Sequence, residues 1–211
     1  MKPFLVLAAM VSLPMSARAA DWRIDPEHSS ASFTIKHIMV SSVRGTFGKI
    51  TGTVHQDDAD ISKSTVDVVI PTDDIDTRVP KRDEHLKSKA FFDVKRFPEI
   101  RFKSTRVEPA GKNMLRITGD LTMHGVTRPV ELAVELADKV WKETFPDPAN
   151  KYGQLNWGAS AKAKLSRKDF GLTWDIRPDE LKYVETGGVM VGDEVSIEID
   201  VLLIRPAPAG P

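Results

Sequence analysis

Apolar residues in this chain recur at every second position, and that spacing restricts it to strands with one dry face. Phe33, Ile35, His37 and Met39 share a parity opposite Ser32, Thr34 and Lys36. Leu115, Ile117, Leu121 and Met123 share one with Gly119, Val130 to Leu136 alternate with Glu131 and Glu135, and Val195 to Val201 alternate with Ser196, Glu198 and Asp200. One-sided alternation marks antiparallel sheet. Turn signals at Val43-Arg44-Gly45, Gln56-Asp57-Asp58, residues 109–113, His124-Gly125 and residues 146–150 separate the runs. The expected fold is all-β: one eight-stranded antiparallel up-and-down barrel, closed so that no edge is left exposed, with a short helical cap.

Whether such a barrel is filled or hollow turns on inward volume. On the core parity of the strand over residues 157–165 stand Ala159, Ala161 and Ala163, with Ser160, Lys162 and Lys164 outward. Gly48, Gly52 and Gly119 also fall on apolar parity. Eight strands enclose a space that side chains just fill or that holds one ligand. Short inward residues favour a cavity; the competing reading is that bulky Phe, Leu and Met side chains opposite them fill the space.

Residues 1–19 have the form of an export signal: Lys2, an apolar run over residues 4–13, and small residues Ala17 and Ala19 around Arg18. The run is too short to span a bilayer, and no later window approaches the ~20 residues needed. The expected organisation is a signal peptide over 1–19, one domain over 20–205 and a disordered tail over 206–211, exported to the periplasm in a Gram-negative cell. The 30 basic and 30 acidic residues balance, and without Lys2 and Arg18 the mature chain stands at −2. Charges of both signs intermix, so nucleic-acid binding, which needs a concentrated basic face, is not expected. With no cysteine there is neither a disulfide nor a thiolate site.

Residues 81–102 carry a charged half followed by Phe91, Phe92, Phe97 and Phe102. Pro80 suits a helix start, and Asp83 and Lys87 are spaced to pair across one turn. Phe91 and Phe92 are adjacent, so a turn laid over an apolar opening is what buries both; the segment reads as a closure. No catalytic residue is assigned, because Asp83, Glu84 and His85 are consecutive and no serine lies in a Gly-x-Ser-x-Gly turn. His28, His37, His55, His85 and His124 show no metal-ligand spacing. His85 reads as a helix-surface or hinge residue, His124 as a turn residue, and His37 as inward, bonded to backbone or touching a ligand.

Together the segments Trp22-Arg-Ile-Asp25, Phe33-Thr-Ile-Lys-His37, Val43-Arg-Gly-Thr-Phe47, Asp76-Thr77, Arg82-Asp-Glu-His-Leu86, Phe91-Phe92-Asp93, Pro98-Glu-Ile-Arg-Phe102, His124-Gly-Val-Thr127, Arg167-Lys-Asp-Phe-Gly171 and Gly192-Asp-Glu-Val195 resemble the YceI-like family of secreted, lipocalin-like proteins. The resemblance spans nearly the whole mature chain. It implies a lipocalin-like barrel with an elongated pocket for an isoprenoid, quinone-like or fatty amphiphile, transient contact with a membrane surface, no cofactor and no established catalysis. It places Phe33, His37, Phe91, Phe92, Phe102, Leu121 and Ala161 on the pocket wall or lid, with the direction of Phe47 open and Trp174 either near the mouth or in the core. Arg44, Arg82 and Arg167 are its candidates for a polar or anionic head group, against ordinary surface ion pairs. The rival class is a secreted hydrolase or isomerase that uses His28 or His37 with Asp25 or Asp93 on a lipid or quinone. Monomer and homodimer are both left open.

Overall fold

The computed structural model describes residues 19–143, 153–175 and 190–207. Its strands are β1 (Ala19–Ile24), β2 (Ser30–His37), β3 (Ser41–Phe47), β4 (Thr51–Asp57), β5 (Thr65–Pro71), β6 (Glu99–Gly111), β7 (Met114–Met123), β8 (Val126–Leu136), β9 (Trp141–Glu143), β10 (Gln154–Ser166) and β11 (Val191–Pro206), with one helix, α1 (Pro80–Lys87), between β5 and β6. The expected export signal lies outside the described residues except for Ala19, which pairs with Asp57 at the start of β1.

Eight strands close the ring in the order β1, β4, β5, β6, β7, β8, β10, β11 and back to β1, every pairing antiparallel. From β4 to β8 this is the simple meander expected. Elsewhere the route is less direct. One edge of β11 is shared: its first half pairs with β2, from Val191↔His37 to Asp200↔Ser30, and its second half with β1, at Ile204↔Arg23 and Leu203↔Ile24. The hairpin β2–β3 thus forms the wall on one half of the barrel, and the free edge of β3 reaches the segment after β5 through a bridge between Thr46 and Asp76.

Alternation decides the faces as expected, with particular exceptions. Met39 leaves the inner parity because the strand ends at His37; it sits in the turn, 61% exposed. Phe47 points inward, 8% exposed, because the parity resets across Gly48-Lys49 between β3 and β4 instead of through a bulge. The glycines do not open the interior. A Cβ on Gly119 would lie 2.5 Å from the ring of Phe102, and one on Gly45 2.4 Å from the ring of Phe33, so aromatic rings already occupy those places; Gly48 backs onto Asp74. Asp83 does not pair with Lys87. It accepts instead from the backbone N–H and hydroxyl of Thr77, at 2.8 and 2.5 Å. The ordered chain also runs past the expected tail boundary, since Pro206 pairs with Gln154 and the buried Ala207 donates to the Gly153 carbonyl; residues 208–211 lie outside the described residues. Among the described residues no helix is long and apolar enough to cross a membrane.

Gly119→Val should destabilise the fold by about 1–3 kcal/mol in a urea titration, because the added methyls meet the Phe102 ring and the Lys103 carbonyl with nowhere to retreat but the interior.

Candidate functional site

Inside the ring lies a cavity of about 460 Å³, within the range of small-molecule sites. Along β11 its wall runs from Val191 to Leu203. Twelve steps at ~3.3 Å, on strands tilted by roughly 40°, make a lined length of about 30 Å. Spread over that length the volume is narrow, on the order of one hydrocarbon chain across. Ala159, Ala161 and Ala163 all face it, opposite the longer side chains of Phe102, Leu121 and Ile117. The alanines make the room: Ala159 sits between Leu136 on β8 and Val201 on β11, Ala161 between Val134 and Ile199, and Ala163 pairs with Ile197.

Polar groups on the wall are confined to its ends, apart from Ser32. Gln56 and Ser64 stand where β4 ends and β5 begins, and Lys36, His37, Arg82 and His85 stand at the end covered by α1. This cover is built by local chemistry. Pro80 occupies the first helical turn, where its missing N–H costs nothing. The polar helix buries none of its residues. Its role is to aim the chain reversal at its C-terminal end. Backbone bonds from Phe91 to the Ser88 carbonyl and from Phe92 to the Leu86 carbonyl fold the chain back, with Asp93 in the left-handed region at φ 45°. Both phenylalanines are buried by that reversal. Phe92 meets Phe47 edge-on at 5.8 Å, Phe47 meets Phe33 at 5.7 Å, Phe91 lies against Trp174 at 5.1 Å, and His85 stands edge-on to both Phe91 and Trp174. Stacked rings of this kind gain stability beyond their buried area. His85 is therefore a surface residue that also forms part of the lid, and Trp174 lines the cavity at that end.

The three arginines have three fates. Arg44 lies on the outer face of β3, exposed, and does not line the cavity, because it alternates with the inward Val43 and Gly45. Arg167 lines the wall but is 3% exposed, and its donors are committed to backbone. Nε bonds the Gly192 carbonyl, Nη1 those of Leu172 and Trp174, and Nη2 that of Val191, with Asp193 Oδ1 3.5 Å away. It is a strap joining the loop after β10 to the start of β11, with four of its five N–H groups on backbone carbonyls and all three nitrogens engaged. Arg82 binds Thr77 through Nε and Nη2, at 2.7 and 2.8 Å, and its Nη1 has no hydrogen-bond partner among the described residues at the cavity end.

Among the described residues no acid–base pair faces the interior. His28 Nδ1 lies 2.8 Å from Asp25 Oδ2, but both stand on an outer cleft with Trp141, Glu143 and Asn156, and neither they nor Asp93 line the cavity. Burial alone would raise the Asp25 carboxyl; hydrogen bonds from His28 and the Glu27 N–H outweigh it and hold it below the ordinary carboxylate value. The same hydrogen bond, and the charge of Asp25 with those of Glu27 and Glu143, raises His28. His55 pairs with Asp21 at 2.7 Å on the surface, and His124, in a turn at φ 51°, packs against Phe97 and bonds the Phe170 carbonyl. Among the described residues no cluster of His, Asp and Glu could hold a metal ion.

Of the residues expected at the pocket, Phe33, His37, Phe91, Phe92, Phe102, Leu121, Ala161, Arg82 and Arg167 line the cavity and Arg44 does not. Gln56, Trp157 and Met190 line it too, beyond the expected set. Trp157 is within reach of the spacing argument, since it shares the parity of Ala159; Gln56 and Met190 sit at strand ends, where period-two reasoning has no face to assign.

An antiparallel eight-stranded barrel with a narrow hydrocarbon-lined interior and an aromatic lid is a lipocalin-like architecture. The chain belongs to the YceI family, whose YceI-like domain matches residues 22–203. It is 38% identical over 174 residues to Protein YceI of Salmonella newport, an alignment covering 82% of this chain and 86% of the relative. Among solved structures it resembles BcnA of Burkholderia cenocepacia, at TM-score 0.65 and 23% identity over 86% of this chain and 99% of that one. It also resembles a polyisoprenoid binding domain from Saccharophagus degradans, at TM-score 0.56 and 14% identity over 90% and 100%.

Arg167→Met should lower stability by about 3 kcal/mol or more, because it strands buried carbonyls that the guanidinium now satisfies. The His28–Asp25 pair should add its small stabilisation in full between about pH 4 and pH 6.5. As the pH falls through the lowered Asp25 value the contribution is lost, and as it rises through the raised His28 value it is lost again. An NMR titration should place the His28 pKa above that of a free histidine, and Asp25→Asn should return it to the ordinary value.

Proposed function

We propose that this protein carries a long amphiphilic lipid of the isoprenoid class in its barrel, outside the cytoplasm of a Gram-negative cell, without chemically transforming it. What carries the reading is the distribution of polarity along the cavity: hydrocarbon walls over about 30 Å, with polar groups collected at the ends. An amphiphile satisfies both parts. Its chain occupies the bore between the alanines of β10 and the leucine and phenylalanine side chains opposite, and its head lies at the α1 end. There Arg82 Nη1, Lys36, His37 and His85 offer donors to a phosphate, hydroxyl or carbonyl. The polyisoprenoid binding named for the Saccharophagus degradans domain favours an isoprenoid over a fatty acyl chain. The leader-like residues 1–19 accord with an exported chain.

Energetics favour exchange over permanent capture. Transfer of about forty carbons out of water at ~0.8 kcal/mol per CH₂ would nominally gain ~30 kcal/mol, beyond the ~18–21 kcal/mol that noncovalent binding reaches. Against a bilayer most of that term cancels, because the lipid is already dry there. The balance rests on head-group contacts and on the fit of the bore, so the protein takes up and releases its cargo at membranes.

Native mass spectrometry of protein purified from its envelope without detergent should show an apolar adduct; empty spectra would overturn the proposal. Ala161→Trp should remove the adduct, since the indole enters the bore, while the melting temperature stays near that of the parent. A loss of about 1–3 kcal/mol of stability with the adduct retained would mean that the site at Ala161 is packed and lies outside the cargo path.

A further inference from the structure

The turn joining β2 to β3 is built against its own chemistry. Val40 N–H closes onto the His37 carbonyl at 3.1 Å, and the two residues between, Ile38 and Met39, both have positive φ, 44° and 58°. Two consecutive left-handed residues are what a type I′ hairpin requires, and Asn-Gly meets that need without strain. A β-branched isoleucine there is a steric outlier. The side chains gain no burial in exchange: Ile38, Met39 and Val40 are 45%, 61% and 82% exposed. Strained backbone that presents apolar groups to water points to a surface that is covered in use.

The hairpin that carries the tip is itself cationic, although Asp74 and Asp76 adjoin its β3 edge and Asp193 and Glu194 lie in the β11 bulge beside its β2 edge. Residues 28–56 contain no carboxylate, while Lys36, Arg44 and Lys49 are present, in a chain whose acidic and basic residues otherwise balance. Among the described residues none of these three has an ion-pair partner. The tip also adjoins the cavity. His37 and Lys36, immediately before it, line the wall, and Ile38 N–H bonds the carbonyl of Met190, another wall residue. Among the described residues another exposed apolar pair, Val140 and Trp141, lies by β9 at the far end of β11, where Lys139 and Lys142 flank it and Asp138 and Glu143 balance them.

We propose that the Ile38-Met39-Val40 tip inserts into the surface of an anionic bilayer and sets the α1 end of the cavity against it, so that cargo passes between membrane and bore without crossing water. Three apolar side chains on a cationic hairpin match an interface that is apolar below and negatively charged above. This rests on the carrier reading for its purpose, though the contact itself can be measured without any cargo.

The test uses the full mature protein and sedimentation with vesicles of phosphatidylethanolamine and phosphatidylglycerol, against vesicles of phosphatidylcholine alone. The parent should bind the anionic vesicles more tightly, and binding should weaken as salt is added. Ile38→Asn with Met39→Gly relieves the turn, so its melting temperature should hold or rise while vesicle binding falls by about tenfold or more. Arg44→Glu should weaken binding to anionic vesicles only, and Trp141→Ala should change nothing. A parent that ignores the vesicles, a turn variant that binds like the parent, or a loss confined to Trp141→Ala overturns the proposal. Native spectra separate the two ideas: an apolar adduct without vesicle binding sinks the docking surface and spares the carrier, and vesicle binding without an adduct does the reverse.

Discussion

The ladder between β10 and β11 is the constraint on which the rest of the structure depends. Thirteen consecutive pairs, from Gln154↔Pro206 to Ser166↔Glu194, close the sheet on itself, and closure is what removes the unpaired backbone of an open edge. The two faces of the ladder then do opposite things. Outside, Lys164 meets Glu194 at 2.8 Å and Ser160 meets Asp200 at 2.5 Å, exposed contacts that keep the register with little net energy. Inside, the same strand offers only methyl groups at 159, 161 and 163. A closed ring of fixed girth with too little volume on one strand has a hollow interior as its necessary consequence. Bulky residues on β6 and β7 reach partway across, and no side chain supplies the remainder.

A hollow apolar interior in water is a liability unless it is sealed, and the seal explains features that resemble active-site chemistry in the raw chain. The cluster Arg82-Asp83-Glu84-His85 holds two groups that bind Thr77 and one that stacks on the lid rings. The charged residues keep α1 wet so that the chain reversal after it can bury Phe91 and Phe92. Arg167 does the corresponding work on the opposite lip. Its guanidinium gathers carbonyls from Leu172, Trp174, Val191 and Gly192, holding Trp174 where it can meet Phe91. A buried cation bonded to four carbonyls is a structural device, and its removal is costly because each acceptor would be left dry.

Much of this is legible from residue spacing, for a physical reason. Alternation reports which side of a strand is dry, so the barrel, the inward alanines and the leucine and phenylalanine wall can be read directly, and the adjacency of Phe91 and Phe92 requires a turn. Three things cannot be read. Parity fails wherever a strand ends, which is why spacing puts Met39 on the wrong face and Phe47 on none. A glycine on the core parity says that something approaches closely without saying what, and at Gly119 the neighbour is the Phe102 ring, not open space. An arginine's partners are set by tertiary closure, so Arg44, Arg82 and Arg167 look equivalent in the chain although one faces solvent, one binds Thr77 at the cavity end and one is a strap. The division of β11 between β2 and β1 is hidden for a similar reason, because it joins residues more than 150 positions apart.

Apart from Gly119, these features share a location. Met39, Arg82, Phe47 and the neighbourhood of Arg167 lie on the half of the barrel where β2 and β3 replace β1 and β4 as the wall, and where the lid closes. There the β2–β3 hairpin is held by the β11 edge and by a bridge from Thr46 to Asp76, while β6, β7 and β8 pair along most of their length, with two register shifts between β6 and β7. Elements with few cross-strand bonds open at lower free energy than continuous ladders. A cargo of the proposed kind would have to pass the end covered by Phe91, Phe92 and Trp174, and the least paired part of the wall beside that end is the seam at β3. The strand ends and arginine partners that defeat period-two reasoning are therefore gathered around the covered end of the cavity, where the regular ladder gives way to the hairpin and the lid.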